Sequence, residues 1–175
     1  MAVLLAGHAA NSAFWIDDAT GKWASSSFYK EQPQCVGNRN HTSPLSVRMD
    51  TMSWEPAISL DLYPDIPEVK RFYKFRYIFP QSSVDRFRMY KESALVNEEI
   101  TTVAIDHIRS MSLGKRGQTD MVNLGFTAAP YSYANDADNR IELMDTYIRL
   151  DRQLARLFDY LDKNVGMENV VVMLS

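Results

Sequence analysis

Residues 142–175 have the sequence ELMDTYIRLDRQLARLFDYLDKNVGMENVVVMLS, in which a long amphipathic stretch is followed at once by an apolar run. Apolar residues in the first part are spaced alternately by four and three, which is typical of a helix with one face in a core. They are Leu143, Tyr147, Leu150, Leu154, Leu157 and Leu161, and Met144, Ile148 and Phe158 widen the stripe. Charged residues, among them Asp145 and Asp159, occupy other faces. The spacing predicts a helix from about Asn139 to Lys163.

The run NVVVMLS, Asn169 to Ser175, predicts a strand that is buried on both faces, because it lacks polar alternation. Two further segments, Met121 to Phe126 and Val3 to Ala6, are also apolar enough for buried strands. Strand, helix and strand with short joints predict a right-handed βαβ crossover in a parallel sheet. Ligands bind beyond the carboxyl ends of such strands, so the loop from Thr127 to Asn139 is a candidate ligand loop.

An earlier helix is predicted to begin at Asn97, a good N-cap, with Glu98 and Glu99 at the positive end of the helix dipole. Its apolar face repeats at three and four residues through Ile100, Val103, Ala104, His107, Ile108 and Met111. Gly114 is a suitable stop in the left-handed conformation. The chain therefore pairs two amphipathic helices with apolar segments.

The first half of the chain is less regular. Two aromatic arms, Phe14 to Ile16 and Trp23 to Tyr29, flank a turn rich in Asp and Gly, which predicts a β-hairpin. From Lys30 to Trp54 there is no periodicity, which predicts a long surface connection. The aromatics from Tyr73 to Phe79 alternate mostly with basic residues, which predicts a half-exposed strand that ends at Pro80.

The composition is that of one globular α/β domain over residues 1–175, with 46% hydrophobic and 23% charged residues. A net charge of −3 gives no global attraction for nucleic acid or for an anionic membrane. Apolar runs are shorter than a membrane span, and the run after Met1 has no basic residue ahead of it, so we expect neither a spanning helix nor a signal peptide. The single cysteine, Cys35, predicts neither a disulfide framework nor a thiolate metal cluster.

The helix, turn and strand of residues 142–175 resemble the alkaline phosphatase superfamily. Other stretches resemble its bacterial branch of type I phosphodiesterases and nucleotide pyrophosphatase-like alkaline phosphatases; they are AGHAANSAFWIDDATGKWASSSFY (6–29), Trp54-Glu55-Pro56, Phe79-Pro80 and GKRGQTDMVNLGFTAA (114–129). The resemblance implies part of a three-layer sandwich of parallel strands and helices. It also implies that residues 30–93, with the β-hairpin before them, include a family-specific insertion.

The resemblance also implies a metal-dependent chemistry. In the family, two zinc ions held by Asp and His activate a Thr or Ser nucleophile and neutralise the phosphoryl group. One Asp and, four positions on, one His follow the strand matched by Met121 to Phe126, and here they fall on Pro130 and Ala134. Neither residue can coordinate zinc. The nucleophile, its phosphate-binding Lys and Arg, and the remaining ligands lie outside the matched region, so the resemblance implies no catalytic residue, metal ligand or cofactor in this chain.

The candidate loop contains two acids, Asp136 and Asp138. Two carboxylates in a loop could bind a hard cation such as calcium weakly. The alternative is that the sequence Asn-Asp-Ala-Asp-Asn forms a solvated turn that caps the following helix. The second interpretation is the one that we expect.

The remaining candidates are scattered. The three histidines share no short spacing: His8 follows the first candidate strand, His41 lies in a predicted loop, and His107 faces the apolar side of a helix, so structural roles are expected. Three hydroxyls, Ser25 to Ser27, have no base nearby in sequence. The pair Lys115 and Arg116 resembles a phosphate loop only loosely and is expected to complement a helix carboxyl end.

Two functions follow from these observations. The first is a piece of a metal-dependent phosphatase or phosphodiesterase that lacks a complete metal site and is inactive alone. The second is a non-catalytic module that uses the insertion to bind a glycan or a protein. A phosphate ester or a glycan is the ligand expected, whereas the binding residues and the oligomeric state stay open, and export to the periplasm is implied by the resemblance alone.

Overall fold

A computed structural model describes residues 6–29, 33–63, 66 and 68–175. The strands within these ranges are β1 (Phe14–Ile16), β2 (Trp23–Ser25), β3 (Ser53–Trp54) and β4 (Tyr77–Ile78). The helices are α1 (Gln34–Thr42), α2 (Leu45–Arg48), α3 (Glu68–Phe72), α4 (Arg86–Glu92), α5 (Val96–Ser110) and α6 (Arg140–Asn164), with 3-10 turns at Leu60–Leu62 and Met167–Asn169. Helices thus dominate the part of the chain that is described.

The strands form two short antiparallel pairs. In the first, β1 pairs with β2 so that Trp15 lies opposite Ala24, and the predicted hairpin is confirmed, although its second arm ends at Ser25. Its turn is stabilised by the Asp17 carboxylate, which accepts hydrogen bonds from Thr20. In the second pair, β3 lies beside β4. Each sheet has only two strands, so packing against helices must supply most of its stability.

Helix α5 lies at the centre of the described structure. Its residues Val96 and Val103 belong to a core that also includes Ile16 and Trp23 of the hairpin and Val36 of α1. Its opposite side packs on α6 through Ile105, Ile108 and Leu157. Both amphipathic helices predicted from the sequence are confirmed within one or two residues at their N-termini.

The irregular region from Lys30 to Trp54 was predicted as a surface connection, and this prediction is wrong. It contains α1 and α2, and Val36 and Met49 are among the most deeply buried side chains. The local sequence gives α1 little amphipathic character, and tertiary contacts hold it instead. The Asn40 carboxamide, for example, exchanges two hydrogen bonds with the backbone of Trp23, at 2.8 and 2.9 Å.

The predicted strands of a parallel sheet are not formed among the residues described. Residues 121–126 and 170–175 are assigned to no strand there, and both pairs of strands that do form are antiparallel. Within residues 73–79 the strand is limited to Tyr77–Ile78, and α3 ends before this stretch at Phe72. The strand predicted at residues 3–6 lies outside the described residues, except for Ala6. An apolar segment becomes a strand only when a neighbour satisfies its backbone hydrogen bonds.

Helix α6 spans 25 residues and carries charged side chains along its length. Over the ranges described above, no helix is both long and apolar enough to cross a membrane. The C-terminal end of α6 approaches the turn that follows α5, because a Cβ built on Gly114 would lie 2.8 Å from Val165 Cγ1. This contact brings the end of α6 against the turn after α5.

Gly114 and Gly117 provide a matched test of this contact. Both have positive φ, +77° and +70°, but a Cβ at Gly117 would have no neighbour within 4 Å. We expect Gly117→Ala to cost about 1–2 kcal/mol from backbone strain alone. Gly114→Ala should cost a further 1–3 kcal/mol, roughly, because the methyl group collides with Val165. Urea unfolding of both variants measures the difference; equal losses would show that the turn does not pack on α6.

Candidate functional site

The candidate loop after residue 126 is fixed at its start by α5. Asn97, expected as an N-cap, lies inside the helix and is fully buried. Its carboxamide donates to the Thr127 carbonyl and accepts from the Thr127 amide, both at 2.8 Å. The Thr127 hydroxyl also donates to the Lys91 carbonyl at 2.9 Å. A side chain predicted to cap a helix therefore positions the loop instead.

An aromatic cluster fills the space behind this loop. Tyr131 is buried, and its ring centroid lies 5.0 Å from that of Trp54 and 4.9 Å from that of Tyr77. Trp54 and Tyr77 are paired across β3 and β4, and Phe75 contacts both rings. Edge-to-face contacts of this kind contribute about 0.5–1.5 kcal/mol each beyond the burial of area. The loop is therefore packed tightly onto the β3–β4 strand pair.

Two tyrosine hydroxyls inside this cluster differ in their hydrogen bonds. The Tyr77 hydroxyl donates to Glu142 Oε1 of α6 at 2.7 Å and accepts from the Asn135 amide at 3.3 Å. The Tyr131 hydroxyl is buried without a hydrogen-bond partner among the described residues. Burial raises the pKa of both Tyr77 and Tyr131 well above the usual value, so both are neutral at physiological pH.

The two positions matched to zinc ligands, Pro130 and Ala134, lie on either side of the buried Tyr131. Pro130 is exposed, and Ala134 packs against the aromatic cluster. Neither carries a donor atom for zinc, and the side chains around them are aromatic. Searching the described part of the chain finds no group of three or more His, Cys, Asp or Glu side chains that could hold a metal ion.

The carboxylates of Asp136 and Asp138 are paired with cationic side chains. The ammonium of Lys70 lies 3.0 Å from Asp136 Oδ2, and the Arg140 guanidinium makes two hydrogen bonds to Asp138 at 2.9 and 3.0 Å. Hydrogen bonds from Arg140 lower the pKa of Asp138 to about 2, and the hydrogen bond from Lys70 lowers that of Asp136. Asp138 also accepts from the Arg140 amide at 3.3 Å, whereas Asn139, the N-cap residue of α6, makes no capping hydrogen bond through its side chain.

The three histidines lie apart from one another. His8 contacts the edge of the Phe28 ring, and His41 lies in α1, so the prediction of a loop there is wrong. His107 packs against Phe14 from the apolar side of α5, with its Nδ1 atom 4.0 Å from Cys35 Sγ. Burial lowers the pKa of His107, which therefore stays neutral near pH 7.

The candidate hydroxyl of Ser25 and the candidate cation of Arg116 both make contacts within the fold. The Ser25 hydroxyl donates to the Ala13 carbonyl at 2.7 Å and has no base in contact among the described residues. Arg116 pairs with Asp120 in the loop that follows α5. The same Asp120 accepts from the Gly114 amide at 2.7 Å and closes this loop.

Two buried carboxylates, those of Glu99 and Asp145, accept several hydrogen bonds each, and this role was not predicted from the sequence. Glu99 accepts hydrogen bonds from Trp23 Nε1 at 3.0 Å, from Arg39 and from Arg48. Asp145, expected on an exposed face of α6, is fully buried. The only sequence signal was that each acid lies close to the apolar stripe of its helix.

Asp145 accepts hydrogen bonds from four donors, three of them from distant parts of the chain and one from the next turn of α6. Trp54 Nε1 donates at 2.7 Å, the Ala57 amide at 2.6 Å, the Tyr63 hydroxyl at 3.1 Å and Arg149 Nε at 2.7 Å. Three of these donors belong to the predicted insertion. Proximity to Asp145 and burial raise the pKa of Tyr63, burial being the larger cause. Helix α6 thus holds the predicted insertion through the Asp145 carboxylate as well as through Glu142, which accepts from Tyr77.

The chain is similar to bacterial alkaline phosphatases over nearly its whole length, although no family model matches it. It is 30% identical to alkaline phosphatase PhoV of Synechococcus elongatus over 184 residues, which cover 99% of this chain and 34% of that protein. It is also 30% identical to alkaline phosphatase PafA of Elizabethkingia meningoseptica over 188 residues, with the same two shares. The crystal structure of wild-type PafA superposes with a TM-score of 0.73 at 28% identity, over 96% of this chain and 34% of PafA.

The fold is therefore that of one part of an alkaline-phosphatase-like α/β protein, and the predicted fold class is confirmed. The chain is similar to alkaline phosphatases over 99% of its own length and spans about a third of the length of the curated relatives it matches.

Proposed function

We propose that this chain is a phosphatase-like segment, or pseudoenzyme, that has no complete metal site and does not hydrolyse phosphate esters by itself. The observation that carries the proposal is the packing of the loop at residues 130–134. Where the resemblance places an Asp and a His, the chain has Pro130 and Ala134, and a buried Tyr131 lies between them. Zinc bound by Asp and His supplies both charge neutralisation and nucleophile activation in this chemistry, so losing its ligands removes both together.

The finer placement within the superfamily is also part of the proposal. The hairpin, the Asn97-bearing helix and the segment Gly114 to Ala129 support the branch of type I phosphodiesterases and nucleotide pyrophosphatase-like alkaline phosphatases. The similarity to alkaline phosphatases PhoV and PafA supports the broader class of alkaline phosphatases. Residues 30–93 then form the insertion that distinguishes the branch.

The test is an assay with an aryl phosphate and an aryl phosphodiester in the presence of added zinc. PafA under the same conditions serves as the active control. We expect no turnover above the buffer rate, and calorimetric titration should detect no tight zinc binding, since the loop offers no suitable donor set. Zinc-dependent turnover at an ordinary enzymatic rate, about 1–1000 per second, would contradict the proposal.

A second function is favoured by one observation on the insertion. Phe72 and Tyr73 are adjacent at the end of α3 and are 78% and 80% exposed. Neighbouring exposed aromatics provide a flat apolar surface for sugar rings or a protein segment. A module of this kind would bind a glycan or a protein, and replacement of both residues by Ser would abolish binding to a glycan array. If the unmodified chain binds nothing on the array, the glycan-binding function is contradicted.

A further inference from the structure

A cavity of about 280 Å³ lies between α1 and the C-terminal end of α5. Its lining residues from α1 follow one another at spacings of three and four, which places them on one face of that helix; they are Cys35, Asn38, Arg39 and Thr42. Arg109 and Ser110 line it from α5. Arg109 is about 18 Å along the helix axis from Asn97, which fixes the start of the candidate loop. The cavity is therefore separate from that contact.

Arg39 is held at the cavity wall by a buried carboxylate. Its Nε and Nη2 atoms donate to Glu99 at 3.1 and 2.6 Å, and its side chain is only 22% exposed. A guanidinium group has five N–H donors, so Glu99 leaves three of those of Arg39 unused. The carboxylate thus fixes the orientation of a cation whose remaining donors are available to a ligand in the cavity.

The charges around the cavity do not balance. Glu99 is the shared partner of Arg39 and Arg48, so one carboxylate serves two guanidinium groups. Arg109 pairs with Asp106, which also lines the cavity, at 3.5 Å. These side chains, three cationic and two acidic, carry one positive charge in excess. Charges that are partly removed from water are costly unless they are paired, so the excess favours an anionic ligand.

The donor chemistry indicates which anion fits. The guanidinium group matches the oxygen atoms of phosphate and carboxylate groups, with which it forms short charge-assisted hydrogen bonds. The exposed carboxamide of Asn38 adds a neutral donor at the edge of the cavity. A volume of about 280 Å³ is slightly smaller than the usual range for drug-sized ligands, which suits a small metabolite.

We propose that the cavity between α1 and α5 binds a small oxyanion, a phosphoryl or carboxylate group, between the guanidinium groups of Arg39 and Arg109. Arg39 is the fixed contact, because Glu99 holds it, and Arg109 is the more accessible contact, with a side chain that is 66% exposed. Asp106 repels the anion and limits its affinity. The inference goes beyond the proposed loss of catalysis and does not depend on it.

Binding is tested by calorimetric titration of the 175-residue chain with inorganic phosphate. Sodium chloride at the same ionic strength controls for screening. A parallel titration with acetate separates the two ligand groups. Heat with phosphate alone assigns the cavity to phosphoryl groups, heat with acetate alone assigns it to carboxylates, and heat with both assigns it to oxyanions in general.

The location of the bound anion is tested through Cys35, which lines the cavity and is the one cysteine in the sequence. Alkylation of this thiol by N-ethylmaleimide is followed by mass spectrometry. At ten times the measured dissociation constant, phosphate should slow alkylation by about tenfold, because the rate follows the unoccupied fraction. Sodium chloride should leave the rate unchanged.

Two substitutions should change the affinity for phosphate in opposite directions. Arg109→Gln should weaken binding at least about threefold, whereas Asp106→Asn should tighten it about two- to fivefold, because it removes a like charge. Arg88→Gln removes an exposed guanidinium from α4 and is the matched control, which should leave the affinity unchanged. Each variant should melt within about 4 °C of the unmodified chain, which shows that it is folded.

Three results would overturn the inference. Titrations with phosphate and acetate that give only the heat of dilution would show that the cavity binds neither group. Phosphate binding that leaves the alkylation rate of Cys35 unchanged would place the anion elsewhere. Equal affinities of the unmodified chain, Arg109→Gln and Asp106→Asn would show that these charges do not form the site. The aryl phosphate assay measures turnover, so failure of the proposed loss of catalysis is seen separately.

Discussion

Asp145→Ala is expected to lower the free energy of unfolding by about 3–5 kcal/mol, the usual cost of removing one member of a buried charged network. The carboxylate is fully buried and accepts from Trp54, Ala57, Tyr63 and Arg149. Without it, the Trp54 and Tyr63 donors remain buried with no acceptor, each at a cost of about 1–3 kcal/mol. Urea unfolding followed by tryptophan fluorescence measures the loss.

The control for this variant is Asp151→Ala, which removes the same side chain from an exposed position on the same helix. Its effect should stay within about 0.5 kcal/mol. The insertion should also loosen selectively in Asp145→Ala, so that limited proteolysis cuts between β3 and β4 before it cuts α5 or α6. Equal stability of the two variants would show that Asp145 does not hold the insertion.

Glu99→Gln is the second large expected effect, again about 3–5 kcal/mol. The neutral amide leaves the guanidinium groups of Arg39 and Arg48 facing each other without a counter-charge, although both bond to Glu99 in the native chain at 2.6 and 2.7 Å. Glu98→Gln, one position along on the exposed side of α5, is the matched control and should change stability by less than about 0.5 kcal/mol.

The pH dependence of stability tests the same network from another direction. Burial alone would raise the pKa of Glu99, but hydrogen bonds from Arg39 and Trp23 and the charge of Arg48 outweigh it, so the pKa is lowered from 4.5. A lowered folded-state pKa contributes stability above pH 4.5, and that contribution is lost as the pH falls through the folded-state value. The slope of stability against pH below 4.5 should therefore be smaller in Glu99→Gln. An unchanged slope would assign acid sensitivity to other groups.

The regular parts of this fold could be predicted because their information is local. The stripe on α6 and the turn chemistry between Phe14 and Trp23 depend on residues within a few positions of one another. Helix α1 could not be predicted in this way, since its stability comes from Asn40 and Arg39 bonding to residues 17 and 60 positions away. The apolar segments have strand-like sequences, but strand assignment also requires a pairing partner, and the described residues form no strand there.

The candidate site shows the same division. Under the resemblance, the absence of zinc donors at Pro130 and Ala134 could be predicted from the residue types alone. The packing around Tyr131 could not be predicted, because Tyr131 contacts Trp54 and Tyr77 only through the pairing of β3 with β4. The assignment of Asp145 to an exposed face failed because helix periodicity cannot show which edge of an apolar stripe will be covered by a distant insertion.

The position of Glu99 and Asp145 has a consequence for synthesis on the ribosome. Trp23 and Trp54 bond to carboxylates that lie 76 and 91 residues later in the chain. The N-terminal half therefore leaves the exit tunnel long before the helices that receive it, and such distant contacts slow folding. Nascent chains arrested before residue 99 should stay open and bind chaperones, whereas those extended beyond α6 should become compact.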